Sequence, residues 1–128
     1  MEFIRQHIEE FSIISDSDWE YFSSKLVHRI FKKHTVFLKY GAVENHISFI
    51  DKGVVRLYIP KELKEKEVTF GFSFKNQFIS AYDSFLTRRA SLYELETLSD
   101  TQMYSISYTD LQDVYQHTQF GNLIGRLT

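Results

Sequence analysis

Apolar positions near the start of the chain recur every three or four residues. Phe3, Ile4, Ile8 and Phe11 form one stripe, and Trp19, Phe22, Leu26 and Ile30 form a stronger one. Side chains at that spacing share one face of an α-helix, so the pattern predicts two amphipathic helices in a lead-in spanning residues 1–33. Ser15 and Asp16 stand where an N-cap belongs, and Asp18 and Glu20 complement the positive end of the second helix. From residue 34 to 107 the period changes to two. The clearest segment is Val68-Thr69-Phe70-Gly71-Phe72-Ser73-Phe74, which reads as a strand with one buried face.

Thr35 to Lys39, His46 to Ile50, Val54 to Ile59, Leu92 to Leu98 and Gln102 to Ile106 follow the same rule, separated by Gly, Asn, Asp and charged turns. About seven short strands in one domain need a second sheet or a closed barrel to cover their apolar faces. Pro60 ends a strand and introduces the charged run Lys61 to Glu67, a solvated loop. Ser107-Tyr108-Thr109-Asp110 opens a short helix that carries Leu111, Val114 and Tyr115. In the last segment, residues 108–128, Phe120, Leu123, Ile124 and Leu127 fall on one helical face, and no capping residue follows before Thr128. That uncapped apolar stripe predicts a truncated helix.

At 128 residues there is room for one domain with a real core. Twelve Phe and eight Tyr suit a small β core. A formal net charge of -2 lacks the broad positive field of a nucleic-acid binder. With no cysteine, disulfides and cysteine-ligated metal sites are excluded. No apolar run reaches the length of a membrane span, and the first residues lack a signal-peptide core, so a cytoplasmic protein without membrane contact is expected.

Two stretches carry a family resemblance. Phe37 to Tyr58 contains two turn glycines, Gly41 and Gly53, the apolar pair Phe49-Ile50, and then Lys52-Gly53-Val54-Val55-Arg56; Glu67 to Phe72 is followed by Gln77-Phe78-Ile79-Ser80-Ala81-Tyr82-Asp83-Ser84-Phe85-Leu86. Together with the order of helices, strands and helices, they resemble the N-terminal cyclic-nucleotide-binding-like domain of Crp/Fnr-family transcription regulators, from about Trp19 to Leu127. The resemblance implies a mainly β fold, a double-stranded β-helix or jelly roll flanked by N- and C-terminal helices. It further implies a phosphate-binding cassette at residues 77–86, a homodimer built on Phe120, Leu123, Ile124 and Leu127, and DNA contact through a domain absent from this chain.

In nucleotide-binding members the cassette holds a Gly-Glu pair, and an Arg precedes the next strand; the acid takes the ribose hydroxyl and the Arg takes the cyclic phosphate. Here Ile79-Ser80 occupies the first position and Ser91 the second. Arg88 and Arg89 lie a few residues upstream of Ser91 and are the candidate replacement clamp. With Ser80, Tyr82, Asp83, Ser84, Ser91 and Tyr93 they form the candidate ligand pocket. The alternative is that the serines and tyrosines at these strand ends satisfy neighbouring backbone groups.

Other constellations add little. A cupin metal site needs a His-X-His pair, and His46-Ile47-Ser48 offers one ligand of the two, so no metal and no cofactor are predicted. There is no phosphate loop or nucleophile elbow, and Glu94 and Glu96 share the solvent face of a strand, so no enzyme is predicted. From Lys25 to Lys39 stand Lys25, His28, Arg29, Lys32, Lys33, His34 and Lys39 with no acid among them. Contact with DNA phosphate or with RNA polymerase acids is one reading; a basic helix end complementing its dipole is the favoured one. The expected function is effector sensing in a transcription regulator, with an unidentified small-molecule effector and no usual binding of cyclic AMP. The alternative is a stand-alone β-roll that binds a small molecule or a protein.

Overall fold

The computed structural model describes residues 1–120. Two N-terminal helices, α1 (Glu2–Glu9) and α2 (Asp16–Ser24), precede eight strands: β1 (Val27–Phe31), β2 (Val36–Leu38), β3 (His46–Lys52), β4 (Val55–Ile59), β5 (Val68–Ser73), β6 (Phe78–Ile79), β7 (Glu94–Thr97) and β8 (Thr101–Ser107). The short helix α3 (Tyr82–Thr87) follows β6, and α4 (Tyr108–His117) follows β8. The strands form two antiparallel sheets, ordered β1-β8-β3-β6 and β2-β7-β4-β5. The fold is thus the mainly β jelly roll with flanking helices that the family resemblance implies.

Alternation along β3 and β8 divides the core in two. Ile50 and Met103 face across the roll to Leu38, Val55, Ile79 and Leu95, and fill its interior. Ile47, Phe49 and Ile106 point the other way, where Ile4 and Ile8 of α1, Phe22 of α2, and Leu111 and Val114 of α4 cover them. Burying one such side chain contributes roughly 2 kcal/mol, so the helices are fastened to one sheet rather than appended to it.

Both anticipated caps form. The Asp18 amide donates to Ser15 Oγ at 3.1 Å, and the Asp110 amide to Ser107 Oγ at 3.1 Å. Two boundaries differ from the periodic reading. The second helical stripe stops at Ser24, and residues 27–31 pair with β8 as a strand, so the roll begins at 27 rather than 34. Val27 and Ile30 are β-branched and pair well with a neighbour; Ile30 is 68% exposed and belongs to no helix face. The basic run from Lys25 to Lys39 is therefore not a helix end, and Lys25 alone lies beside the last turn, 3.4 Å from Asp113.

The apolar alternation of β5 also has a different outcome. Val68, Phe70, Phe72 and Phe74 are all about half exposed, because β5 is an edge strand and a bulge shifts its register against β4 between Leu57 and Tyr58. At the end of the described chain, Phe120 is buried and meets the Phe22 ring edge-on at 5.1 Å, so it belongs to the domain's own core. The other members of the expected dimer stripe, Leu123, Ile124 and Leu127, lie outside the described residues.

Candidate functional site

β6 delivers the chain to α3, and the segment that returns to β7 closes a cavity of about 400 Å³ beside that helix. Asp83, Ser84, Thr87, Arg89, Ser91 and Tyr93 line it, with Ala90 and Leu92. Five of the eight residues anticipated for a pocket therefore converge there: Asp83, Ser84, Arg89, Ser91 and Tyr93. Ser80, Tyr82 and Arg88 do not.

The hydroxyls are largely consumed by the backbone. Ser80 Oγ donates to the His46 carbonyl at 2.7 Å and is buried. Ser84 Oγ accepts from the Glu44 amide at 2.9 Å and donates to the Arg89 carbonyl at 2.5 Å. Ser91 Oγ donates to the Tyr93 carbonyl at 2.7 Å and accepts from the Tyr93 amide at 3.2 Å, which fixes the turn into β7. Thr87 Oγ1 donates to the Asp83 carbonyl at 2.7 Å. Each of these groups is satisfied internally, the usual state of a buried hydroxyl.

The two arginines differ completely. Arg88 takes a left-handed backbone, φ 61°, at the end of α3. Its guanidinium donates to the carbonyls of Glu44 at 2.9 Å and Phe85 at 3.0 Å and to Asn45 Oδ1 at 3.0 Å, and it lies 4.0 Å over the Tyr108 ring. It anchors α3 and faces away from the cavity. Arg89 is exposed, and its side chain makes no hydrogen bond or ion pair among the described residues. The groups free to meet a ligand are thus the Arg89 guanidinium, the Asp83 carboxylate and the Tyr93 hydroxyl. Burial, then the charges of Asp83 and Glu44, raise the Tyr93 pKa, so this hydroxyl stays a neutral donor. Tyr82, which faces the helical side of the core, is pushed up to about 12, chiefly by burial.

Glu44 was not among the anticipated residues, yet it organises the cassette. It is 6% exposed; Oε2 accepts from the Ala81 amide at 3.2 Å and Oε1 from the His46 amide at 3.1 Å. Burial raises its pKa, while those amide bonds and the charge of Arg29 oppose the rise. A carboxylate thus occupies the backbone donor at the start of α3 that an anionic ligand would otherwise use. No hydrophobic period marks such a residue; the only signal was an acid inside the turn that follows Gly41. Ile79 lies in the roll interior, so neither it nor Ser80 offers a group to a ribose.

On the outer face of β4, Arg56 donates to Glu96 at 2.9 Å and pairs with Glu67 at 3.4 Å, while Tyr58 Oη donates to Glu94 at 2.8 Å. Glu94 and Glu96 are thus half-buried structural acids rather than solvated ones. Among the described residues no three of His, Asp or Glu gather closely enough to hold a metal ion, and no helix is long and apolar enough to cross a membrane.

No curated protein matches this sequence. The fold is similar to that of the sensor domain of the transcriptional regulator DNR from Pseudomonas aeruginosa (TM-score 0.74, 12% identity), covering 92% of this chain and 77% of that one. It is also similar to the catabolite activator protein of Thermus thermophilus (TM-score 0.70, 15% identity; 84% of this chain, 49% of that one). A third likeness is to a cyclic nucleotide-binding-like protein from Brucella abortus (TM-score 0.64, 12% identity; 80% of this chain, 85% of that one). The chain spans about half the length of the Thermus regulator and 53% of a c-di-GMP-responsive global regulator from Xanthomonas campestris. At these identities the likeness is one of fold. The sequence itself matches the cyclic nucleotide-binding domain over residues 28–118, the roll together with α4, and the chain belongs to that family.

Proposed function

We propose that this chain is the non-enzymatic effector-sensing module of a Crp/Fnr-like bacterial transcription regulator, cytoplasmic and dimeric, whose DNA-reading part lies in sequence outside residues 1–128. The observation that carries this reading is the cavity beside α3, with Asp83, Arg89 and Tyr93 as its free polar groups, on a roll of the cyclic nucleotide-binding family. The span of about half of two full-length regulators supports it. Ligand in the cavity, or another input to the roll, biases α3 and the helices after the roll between two arrangements, and these set how a dimer presents its DNA readers.

Reading the open frame beyond Thr128 tests the DNA-reading half of the proposal. The expected result is a continuation of roughly 60 to 100 residues with a helix-turn-helix pattern. A stop codon directly after Thr128 overturns it. The second reading, a stand-alone β-roll that binds a small molecule or protein, is favoured by the Brucella abortus protein, 85% of whose length this chain covers.

A further inference from the structure

A second opening enters the roll away from the cassette cavity. It is a slot of about 380 Å³ between β1, β2 and the segment joining β2 to β3, lined by Arg29, Lys39, Glu44, Asn45 and His46 on its polar side and by Val36, Phe37, Leu38, Ala42 and Val43 on its apolar side. Arg29 is half-buried there, stacked on the Phe31 ring at 4.9 Å. Among the described residues its side chain's only hydrogen bond runs from Nη1 to Ser105 Oγ at 3.5 Å, the outer limit for such a bond. The other three half-buried arginines have charged or multiple partners: Arg5 has Glu9 and Asp16, Arg56 has Glu67 and Glu96 although its Nε is unpaired, and Arg88 has two carbonyls and Asn45. Among the described residues no carboxylate comes within ion-pair distance of Arg29. Its remaining donors are open to the slot, and they present the planar fork that matches a carboxylate.

We infer that this slot binds a small organic monocarboxylate, its head group on the Arg29 fork and its hydrocarbon body against Phe37 and Val43. The inference goes beyond the sensing reading and does not depend on it. Charge selects the monoanion. Among the described residues Arg29 is the one cation inside the slot, with Lys39 exposed at its rim, and buried Glu44 in the slot's own lining penalises a second negative charge. Glu44 makes no ion pair with Arg29 among the described residues; its oxygens accept from the Ala81 and His46 amides instead. The His46 ring makes no hydrogen bond among the described residues, and burial followed by the Arg29 charge holds its pKa at about 4, so at neutral pH it offers one N–H donor and no charge. Asn45 gives its Oδ1 to Arg88, which leaves its amide hydrogens for a ligand. The apolar wall explains why the ligand needs a hydrocarbon body and is not a bare inorganic ion.

The test is titration of the full chain with benzoate, followed by amide shifts and by the Arg29 Nε–Hε signal, with neutral benzamide as the control. We expect saturable shifts at the amides of residues 42–46 and at Arg29, with a dissociation constant of about 1 mM and no matching response to benzamide. Arg29→Gln should weaken benzoate at least about tenfold. Val43→Asp, at a half-exposed rim position where folding is not at risk, should weaken it several-fold by repulsion. The inference is overturned by equal responses to benzoate and benzamide, by shifts centred on residues 83–93, by undiminished binding in either variant, or by no saturable shift up to about 20 mM, well above the expected constant.

Discussion

Gly53 turns β3 into β4 at φ 111°, and a Cβ placed there would sit 2.3 Å from Thr101 Oγ1 and 2.9 Å from Thr101 Cα. Both the backbone and the space exclude a side chain, so Gly53→Ala should lower stability by about 2 kcal/mol or more in urea unfolding. Gly41, at φ 87° with open space around it, meets only the backbone cost, and Gly41→Ala should lose about 1 kcal/mol. If the two losses are equal, the Thr101 contact is not what constrains Gly53. Glu44 makes a second prediction at this scale. Its pKa is raised from 4.5 by burial, so the folded state binds its proton more tightly than the unfolded state, and stability falls as pH rises from 4.5 through the folded value. His46, lowered from 6.5 to about 4, acts with the opposite sign: its contribution is full above 6.5 and lost as pH falls toward 4. Comparing Glu44→Gln with the wild type cancels the histidine, and the variant should gain on the wild type as pH rises from about 4 to 8. A pH-independent difference would mean that the Glu44 carboxyl titrates as it does in the unfolded chain. The turn glycine was legible in sequence from its Lys52-Gly53 context; the buried acid was not, because its burial depends on α3 and β3, which meet it only in the fold.

Helix α3 has just six residues, too few to hold itself together, and its placement depends on what anchors its end. Arg88 supplies that anchor through three hydrogen bonds and its stacking on Tyr108, while the adjacent Arg89 is held through its backbone alone among the described residues. Arg88→Ala should therefore cost about 2 kcal/mol in chemical denaturation, whereas Arg89→Ala should stay within about 0.5 kcal/mol. Equal effects would mean that the guanidinium contacts do not hold α3. The pair shows what sequence can and cannot resolve: neighbouring arginines before a strand mark a candidate clamp, but which one turns inward follows from the left-handed backbone at Arg88, which no periodicity encodes. Strand positions were legible wherever one face is buried and the other wet, as in β3 and β8. β1 was missed because Phe22, Leu26 and Ile30 continue a helical spacing by coincidence across the end of α2. β5 was legible as a strand, but the half-exposure of Val68, Phe70 and Phe72 comes from its edge position and bulge, which are properties of the assembled sheets.

For the whole molecule, the roll was legible and the ligand was not, because strand period and turn glycines report the fold while ligand chemistry rests on a few polar side chains. The same separation makes the response to cyclic AMP predictable. A cyclic phosphate needs a fixed cation and free backbone amides, and a ribose needs an acid held beside them. Here the Ala81 amide is occupied by Glu44, Arg88 is turned away, Ser91 is closed on Tyr93, and the one cation lining the cavity, Arg89, is exposed and stands with Asp83. Losing two charge-assisted contacts costs about 3–6 kcal/mol, about two to four orders of magnitude in affinity, which takes an otherwise micromolar site to about 0.1 mM or weaker. Isothermal titration of the chain with cyclic AMP should thus show no saturable binding with ligand at about 10 µM. Glu44→Ala, which vacates the Ala81 amide but supplies no cation, should not restore tight binding. Submicromolar affinity in the wild-type chain would mean that Arg89 closes onto the phosphate and displaces Glu44 from the cassette, and the arrangement described for α3 would then be one of two states of the same site.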